Sequence, residues 1–384
     1  MGLAKQRYME LEAMNLNSIP DKQICARHFE DRSIINHIKR NQIDGYCDYC
    51  EKELKVIDLE NLMEFIMAGI ANFYTDAANF MSYDSREGGY LGKKIDRNDL
   101  IQEEIELITH PFEVTEDIID CIEDIVWGEP DLYYDNINDE LEYQWTYFKN
   151  IIKHESRYLF SSSSNNQDKA YNILKEVGKL IHSLKLIKTL PKGTRLYRCR
   201  QHDSKKKLND FEEITSPPNS RSIYPNRFSP SGISMFYAAS NSETAILETV
   251  SREDPLKTHV TIGEFETLDD FHIIDFTKLP KIPSIFGIKD KGNYYLKLFL
   301  YSFVNDITKN IDKDGREHIE YVPTQVVTEY IRYSFNKNRK NKIEGITYES
   351  SQHRNHNSAV FFWDNNLSKN KVKLITLDKK KLSV

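Results

Sequence analysis

The chain has 384 residues, of which 39% are hydrophobic and 29% are charged, and its formal net charge is −7. This balance excludes a disordered chain and predicts two globular domains, with room for a small additional module. An acidic chain of this kind lacks the strongly basic surface that is typical of nucleic-acid binding, so we do not expect a nucleic-acid partner.

The N-terminal sequence does not contain the apolar core of a signal peptide. The apolar stretch at 62–71 is interrupted by Glu64 and is too short to span a bilayer. The chain contains five cysteines, an odd and low number that is typical of a protein with reduced thiols. We therefore predict a cytoplasmic protein with no membrane contact.

The first 55 residues hold two short pairs of metal-ligand residue types, Cys25 with His28 and Cys47 with Cys50. A two-residue gap lets both members of a pair reach one ion, and four N/S ligands complete a tetrahedral zinc site. The spacing predicts a structural Zn²⁺ ion in a zinc-ribbon-like segment over residues 1–55. The alternative is three free thiols and a surface histidine.

Residues 56–190 are predicted to be mainly α-helical. Apolar residues recur at helical spacing from Leu59 to Met81, and a glycine-rich loop at 88–92 follows. Further stretches with the same periodicity lie at 100–107, 114–126, 141–160 and 170–187.

The pattern changes at Pro191, and residues 191–384 are predicted to form a mixed α/β domain. The whole chain is therefore assigned to the α+β class. Strand-like runs lie at 195–198, 233–238, 259–265, 271–275, 345–349, 359–363 and 372–377, and helical runs lie at 240–252, 294–307 and 324–335.

Two segments of this third region carry arginines that can hold an anion. The first predicted strand contains Arg195, Arg198 and Arg200, and a buried guanidinium needs an anion such as a pyrophosphate. The alternative is an edge strand whose arginines keep the protein soluble. Arg227 lies in a Pro- and Gly-containing turn that leads into a strand with Tyr237 near its end.

The next helix carries a candidate acidic residue. Ser240 followed by Glu243 has the spacing of a capping box and predicts the helix start at Ser240. Glu248 then interrupts an apolar run, which makes it a candidate for a carboxylate that faces a cleft. The alternative is an exposed residue on the helix surface.

These features, taken in chain order over residues 191–362, resemble the RES family, which is named after an arginine, a glutamate and a serine. The arginine is Arg198 or Arg227, and the glutamate is Glu248. The closing segment consists of Tyr321 to Gln325, Gly345 to Ser351, Asn357 and Val360 to Phe362. It supplies Ser350 as the serine, with Ser351 as the alternative. The helical region, with its cysteine-rich start and then Trp145-x2-Phe148 and Arg157-Tyr158-x-Phe160, resembles the HEPN/RES N-terminal domain.

The resemblance implies an ADP-ribosyltransferase-like fold and an NAD⁺-degrading toxin or defence effector that cleaves the nicotinamide–ribose bond. Inorganic phosphate as acceptor would make it a phosphorylase, and water would make it a glycohydrolase. An antitoxin or defence partner is implied as well, and a homo-oligomer remains open.

The resemblance also implies roles for the site residues. Arg198 and Arg227 suit the NAD⁺ diphosphate or an incoming phosphate. Tyr237 suits stacking on nicotinamide, and Glu248 suits the oxocarbenium-like transition state. Ser350, or Ser351, suits an amide, a phosphate or a ribose hydroxyl.

Other functions stay open at this point. The sequence does not choose the acceptor, so ADP-ribosyl transfer to a protein or a nucleic acid remains an alternative. Arg32 and His37 fit the Arg-x4–6-His pattern of HEPN ribonucleases, although they lie between the two metal-ligand pairs. The N-terminal half could instead be a regulatory binding module.

Overall fold

The computed structural model describes residues 3–130, 137–157, 165–203, 208–250, 256–311 and 314–382. Tyr158 and Phe160 of the N-terminal motif lie outside these ranges. The chain divides into two compact units, Met1–Ile137 with Ile282–Tyr295 and Asn138–Lys281 with Leu296–Val384. Across the described part of the chain, we find no helix with both the length and the apolarity needed to cross a bilayer.

The first unit combines helices with small antiparallel sheets. Its helices are α1 (Leu3–Ala13), α2 (Arg32–Asn41), α3 (Leu59–Ile70), α4 (Arg97–Asp99) and α5 (Phe112–Cys121). Its strands are β1 (Gln23–Cys25), β2 (Ile43–Cys47), β3 (Lys52–Asp58), β4 (Thr75–Asp76), β5 (Tyr83–Asp84), β6 (Gly89–Tyr90) and β7 (Trp127–Gly128). The strands pair in the order β1-β3-β2, with β4-β7 and β5-β6 as separate pairs.

The core of the first unit forms where α2, α3 and α5 bury their apolar faces. The Asp31 carboxylate begins α2 by accepting hydrogen bonds from the N–H groups of Ser33 and Ile34. Helix α3 ends at Ile70, so the predicted helix to Met81 is wrong beyond that residue. The apolar spacing continues past Ile70, but the chain turns there and enters β4.

The second unit is built around an eight-stranded sheet of described residues, in the order β15-β11-β9-β10-β14-β13-β12-β8. All neighbours are antiparallel except β12 and β13. The strands are β8 (Ile187–Leu190), β9 (Arg195–His202), β10 (Phe236–Ala239), β11 (His259–Thr267), β12 (Phe271–Asp275), β13 (Ile343–Glu349), β14 (Asn357–Phe361) and β15 (Val372–Lys381). The prediction of a mixed α/β region is confirmed.

Helices, most of which pack against the sheet, complete the second unit. They are α6 (Ile137–Asn150), α7 (Asn165–Ser183), α8 (Phe211–Ile214), α9 (Ser242–Thr249), α10 (Lys291–Thr308), α11 (Glu317–Glu320), α12 (Val322–Glu329) and α13 (Asn365–Ser368). A π-helical segment, Ile151–Glu155, continues α6, and a second one, Tyr330–Phe335, continues α12.

The largest core of the second unit joins residues from both sides of the predicted boundary at Pro191. Trp145 and Phe148 from α6 pack in one cluster with Phe303 from α10, Val327 from α12 and Val360 from β14. This compact unit begins at Asn138, because the apolar face of α6 is buried here. The division of the chain into domains at residues 55 and 190 stays a prediction.

Candidate active site

The turn that carries Arg227 is held from two elements. The Tyr237 hydroxyl on β10 accepts a hydrogen bond from the Phe228 N–H at 3.2 Å and lies 3.0 Å from the Ser229 hydroxyl. From α12, the buried Gln325 amide donates to the carbonyls of Asn226 and Ser229 at 2.9 and 3.3 Å. These bonds fix the backbone on both sides of Arg227.

The Arg227 side chain is half-buried and points to the end of α10. Its guanidinium donates to the carbonyls of Ile307 and Lys309 and lies 5.9 Å from the centre of the Tyr321 ring. A cation is favoured at a helix C-terminus and over an aromatic face. No described carboxylate forms an ion pair with Arg227, so its charge remains available to an anionic ligand.

Glu248 lies in the last turn of α9. The N-cap of this helix is Asn241, whose side chain accepts a hydrogen bond from the Thr244 N–H, so the predicted cap at Ser240 is wrong. The Ser240 hydroxyl instead accepts a hydrogen bond from the Asn357 N–H. Glu248 is exposed and can therefore meet a ligand.

Two serine hydroxyls hold the Glu248 carboxylate. Ser350 donates to its Oε1 atom at 2.5 Å, and Ser358 donates to the same atom at 3.0 Å. The second oxygen, Oε2, receives no hydrogen bond from any residue described in the structure. Both serines are buried, while Ser351 is exposed.

Ser350 also shapes the loop that follows β13. Its hydroxyl accepts hydrogen bonds from the N–H groups of Gln352 and His353 at 3.2 and 3.1 Å. The His353 ring lies 2.8 Å from the Thr244 hydroxyl on α9 and stacks on His356 with ring centroids 3.8 Å apart. The loop and the helix that carries Glu248 are thereby connected at two points.

Strand register brings several site residues to one face of the sheet. Tyr237 lies two residues from Ala239, Ala239 pairs with Ser358, and Ser358 pairs with Tyr348. Paired and alternate residues share a face, so Tyr237, Ser358 and Tyr348 project to the same side.

Burial and the charges of both Glu248 and Arg227 affect the pKa of Tyr348. Burial is the main reason that the pKa of this buried tyrosine lies above its ordinary value. Glu248 raises this pKa further, and Arg227 opposes the rise. The Tyr237 pKa is also raised by burial, to about 12, and the Ser229 hydrogen bond opposes that rise. Both tyrosines are therefore neutral at physiological pH.

Arg198 projects from the opposite face. Tyr197 pairs with Ala239, so the next residue, Arg198, points to the other side of the sheet, where its guanidinium lies 5.6 Å from the Phe236 ring centre. It donates to the backbone carbonyls of Ile214 and Tyr237 at 3.0 and 2.6 Å. Arg198 is thus hydrogen-bonded to the backbone of β10, but it lies on the face of the sheet opposite to α9, the helix that carries Glu248.

Two arginines on β9 are desolvated. Burial lowers the pKa of Arg198 to about 9, and the neighbouring charge of Arg200 contributes to this shift. The Arg200 pKa is also lowered by burial, and its Nε atom has no hydrogen-bond partner. Strand β9 lies between β11 and β10, so the edge-strand explanation for these arginines is wrong.

The four predicted metal ligands come together in the first unit. Cys25 ends β1, His28 ends a short 3-10 turn, Cys47 ends β2 and Cys50 lies in the turn that follows. Their ligand atoms all lie within 4.8 Å of one another, with 3.2 Å between His28 Nε2 and Cys47 Sγ and 3.9 Å between the sulfurs of Cys25 and Cys50. The alternative of a surface histidine is wrong, because His28 is only 5% exposed.

The donor set fits a tetrahedral ion. Bonds of about 2.0–2.3 Å from zinc to nitrogen and sulfur place neighbouring ligands about 3.3–3.8 Å apart. The other ring nitrogen of His28 hydrogen-bonds the His110 carbonyl, which leaves Nε2 facing the sulfurs. Burial alone would raise the pKa of Cys47, but hydrogen bonds from the backbone N–H groups of Cys50 and Tyr49 bring it to about 7.

The residues of the nuclease pattern do not form a comparable site. Arg32 is the exposed first residue of α2, and the His37 ring is stacked on Phe65 with ring centroids 4.0 Å apart. Burial lowers the pKa of His37.

Sequence reasoning missed four residues of the site. Tyr348 and Ser358 come from paired strands, Tyr321 holds Arg227 and Gln325 holds the turn. Tyr321, Gln325 and Tyr348 do stand in the closing segment on which the family resemblance rests, but no role was assigned to them there. The position of Ser358, next to Asn357 in that segment, was the only available signal for its role.

Two family models match the chain, and the first of them crosses the boundary between the two compact units at Asn138. The family described as "HEPN/RES N-terminal domain 1" matches residues 40–166, and the family described as "RES domain" matches residues 195–378. No curated protein matches the chain. RES domains generally act on NAD. The chain therefore belongs to the RES-domain proteins that carry a HEPN/RES N-terminal domain.

Proposed function

We propose that the second unit cleaves the bond between nicotinamide and ribose in NAD⁺. The observation that carries this proposal is the Glu248 carboxylate, which two buried serines hold by one oxygen while the other oxygen stays available to a ligand. No described carboxylate pairs with Arg227, and besides burial the charges of Glu248 and Arg227 both affect the pKa of Tyr348. The ADP-ribosyltransferase-like fold remains part of this proposal.

The chemistry needs few groups from the protein. Nicotinamide leaves from NAD⁺ as a neutral molecule, so no general acid is required. As the C–N bond breaks, positive charge develops on the ribose, and a fixed carboxylate stabilises that charge. Glu248 Oε2 takes this role and accepts a hydrogen bond from a ribose hydroxyl, while Ser350 and Ser358 keep the carboxylate in place.

The remaining residues bind and orient the substrate. Arg227 attracts the diphosphate or an incoming phosphate, since a guanidinium matches phosphate oxygens. Tyr237 offers a partly accessible ring for nicotinamide, and its hydroxyl holds the Arg227 turn. Arg198 fixes the backbone of β10 through the Tyr237 carbonyl, with its positive charge close to the same strand.

The reaction catalysed depends on the molecule that accepts the ADP-ribosyl group. Water gives ADP-ribose, inorganic phosphate gives an ADP-ribose phosphate ester, and a macromolecule gives a modified protein or nucleic acid. Product analysis with and without phosphate separates the first two, and a labelled NAD⁺ analogue incubated with host lysate detects the third. The positions of Arg32 and His37 lend no support to ribonuclease activity.

We further propose that the protein is a toxin or defence effector that depletes NAD⁺. Expression of the intact chain in a bacterial host is expected to arrest growth and lower cellular NAD⁺, whereas Glu248→Gln is expected to do neither. Growth arrest with unchanged NAD⁺ would contradict the proposal. A partner that restrains the active chain, such as an antitoxin, is expected to restore both NAD⁺ and growth.

We also propose that Cys25, His28, Cys47 and Cys50 bind a structural zinc ion. The support is the buried set of four converging N/S atoms and the His110 carbonyl that orients His28. A fully coordinated ion leaves no open position for a substrate, so its contribution is to the stability of the first unit.

A further inference from the structure

Two lysines lie one helical turn apart on α6 and its continuation, in the part of the chain before the RES match. Lys149 belongs to α6, and Lys153 belongs to the π-helical segment that continues it. Both are largely buried, with 27% and 18% of their side chains exposed. Ion pairs at this degree of burial restrict the elements they join more than exposed pairs do.

Lys149 binds the C-terminal end of α10. Its ammonium lies 2.8 Å from Asp306, which also accepts a hydrogen bond from the Trp145 indole at 2.8 Å. The second Asp306 oxygen lies 2.6 Å from the ammonium of Lys309. Asp306 therefore anchors the end of α10 to α6 through two side chains.

Lys153 binds the short helix that leads to Tyr321. Its ammonium lies 2.6 Å from Glu320, the residue immediately before Tyr321. Glu320 ends α11, and Tyr321 joins α11 to α12. The position of the Tyr321 backbone is thereby coupled to the same helix as Asp306.

Both anchored elements hold Arg227. The carbonyls of Ile307 and Lys309, one and three residues after Asp306, accept hydrogen bonds from the Arg227 guanidinium, and the Tyr321 ring lies beside it. Ile307 and Lys309 lie within three residues of Asp306, which pairs with Lys149. Tyr321 directly follows Glu320, which pairs with Lys153. A shift of either element would move the guanidinium.

We propose that Lys149 and Lys153 are positioning residues that fix the Arg227 guanidinium for an anionic substrate. The inference rests on the proposed role of Arg227 in NAD⁺ binding. The two lysines fall inside the HEPN/RES N-terminal domain match, whereas Arg227, Asp306 and Glu320 fall inside the RES match. The N-terminal domain therefore supplies part of the support of the RES site.

A double-mutant cycle on the full-length protein tests the proposal. Lys149→Met and Lys153→Met keep the aliphatic stem and remove the charge. Each is expected to lower kcat/KM for NAD⁺ about tenfold, chiefly by raising KM, because coupled contacts of this kind are worth about 1.4 kcal/mol. In an Arg227→Ala background the same substitutions are expected to change kcat/KM less than twofold. Equal factors in both backgrounds would overturn the proposal.

Two further variants separate positioning from general stability. Lys149→Arg keeps the ion pair and is expected to restore most of kcat/KM. Lys179→Ala removes an exposed ion pair with Glu176 within α7 and is expected to leave kcat/KM unchanged. A loss in Lys179→Ala as large as that in Lys149→Met would contradict a specific role.

An NMR measurement on Arg227 tests the inference without relying on NAD⁺ cleavage. In protein labelled with ¹⁵N-arginine, the Arg227 Nε–Hε signal is assigned by its absence in Arg227→Ala. The double variant Lys149→Met/Lys153→Met is expected to shift or broaden this signal, whereas Lys179→Ala is not. An unchanged signal in the double variant overturns the inference. If the wild type does not cleave NAD⁺, the proposed function fails and the Arg227 signal alone decides the inference.

Discussion

The hydrogen bonds to Glu248 allow a prediction with a worked magnitude. Ser358 donates one hydrogen bond to the carboxylate, whereas Ser350 donates one and also accepts two from the loop backbone. A hydrogen bond to a charged group contributes about 1.5–3 kcal/mol. Since about 1.4 kcal/mol is tenfold in rate, Ser358→Ala is expected to lower kcat/KM about tenfold. Ser350→Ala is expected to lower it at least a hundredfold, because the loop loses its anchor as well.

The assay is nicotinamide release from NAD⁺ under kcat/KM conditions, with folding checked by circular dichroism. Ser242→Ala, at the start of the same helix as Glu248, is a matched control and is expected to retain activity. Ser351→Ala tests the alternative serine and is expected to have a small effect, because the described hydrogen bonds to Glu248 come from Ser350 and Ser358. The reasoning is refuted if Ser351→Ala loses more activity than Ser350→Ala, or if Ser358→Ala is as active as the wild type.

Three further predictions concern metal, pH and chain length. Purified protein is expected to contain about one zinc ion per chain and Cys47→Ser far less, with Cys121→Ser as a control; equal and negligible zinc in wild type and Cys47→Ser would exclude the site. Asp306 is partly buried, and although burial raises its pKa, hydrogen bonds from Lys149, Lys309 and Trp145 lower it to about 2. Because the folded-state pKa is depressed, the resulting stabilisation, about 2 kcal/mol, is present above the ordinary value near 4 and is lost as pH falls towards 2. The deficit in unfolding temperature of Asp306→Asn at pH 7 should therefore shrink at pH 3, and a deficit independent of pH would contradict this. A fragment of residues 191–384 lacks α6 and α7 and is expected to aggregate or bind a hydrophobic dye; a cooperative thermal transition like that of the intact chain would contradict the shared core.

Local sequence patterns predicted the strands of the second unit well except for β8, which was not predicted as a strand. The run 271–275 coincides with β12, and the predicted strands at 195–198 and 259–265 lie within β9 and β11. Alternation, β-branched residues and flanking turns are local properties, so they can be identified without the fold. The cap of α9 was missed because Ser240 and Asn241 are both good capping residues, and only the backbone geometry selects Asn241.

Long-range contacts could not be predicted in the same way. The proximity of Ser350 and Ser358 to Glu248 depends on how β13 and β14 pair and on how the loop packs against α9. The buried cluster that joins Trp145 to the sheet depends on tertiary packing, which helical periodicity does not specify. The site residues suggested by the family resemblance remain predictions, and the structure adds that Ser350 donates a hydrogen bond to Glu248 and that Tyr237 holds the turn of Arg227.

The most direct test of the proposed activity is nicotinamide release by purified full-length protein, measured beside Glu248→Gln with and without inorganic phosphate. The proposed function predicts release by the wild type and a loss of at least a thousandfold in the variant, since the carboxylate stabilises the transition state. Release only with phosphate would identify a phosphorylase, and release without it a glycohydrolase. Equal release by the wild type and Glu248→Gln, or no release by the wild type under either condition, would contradict the proposed function.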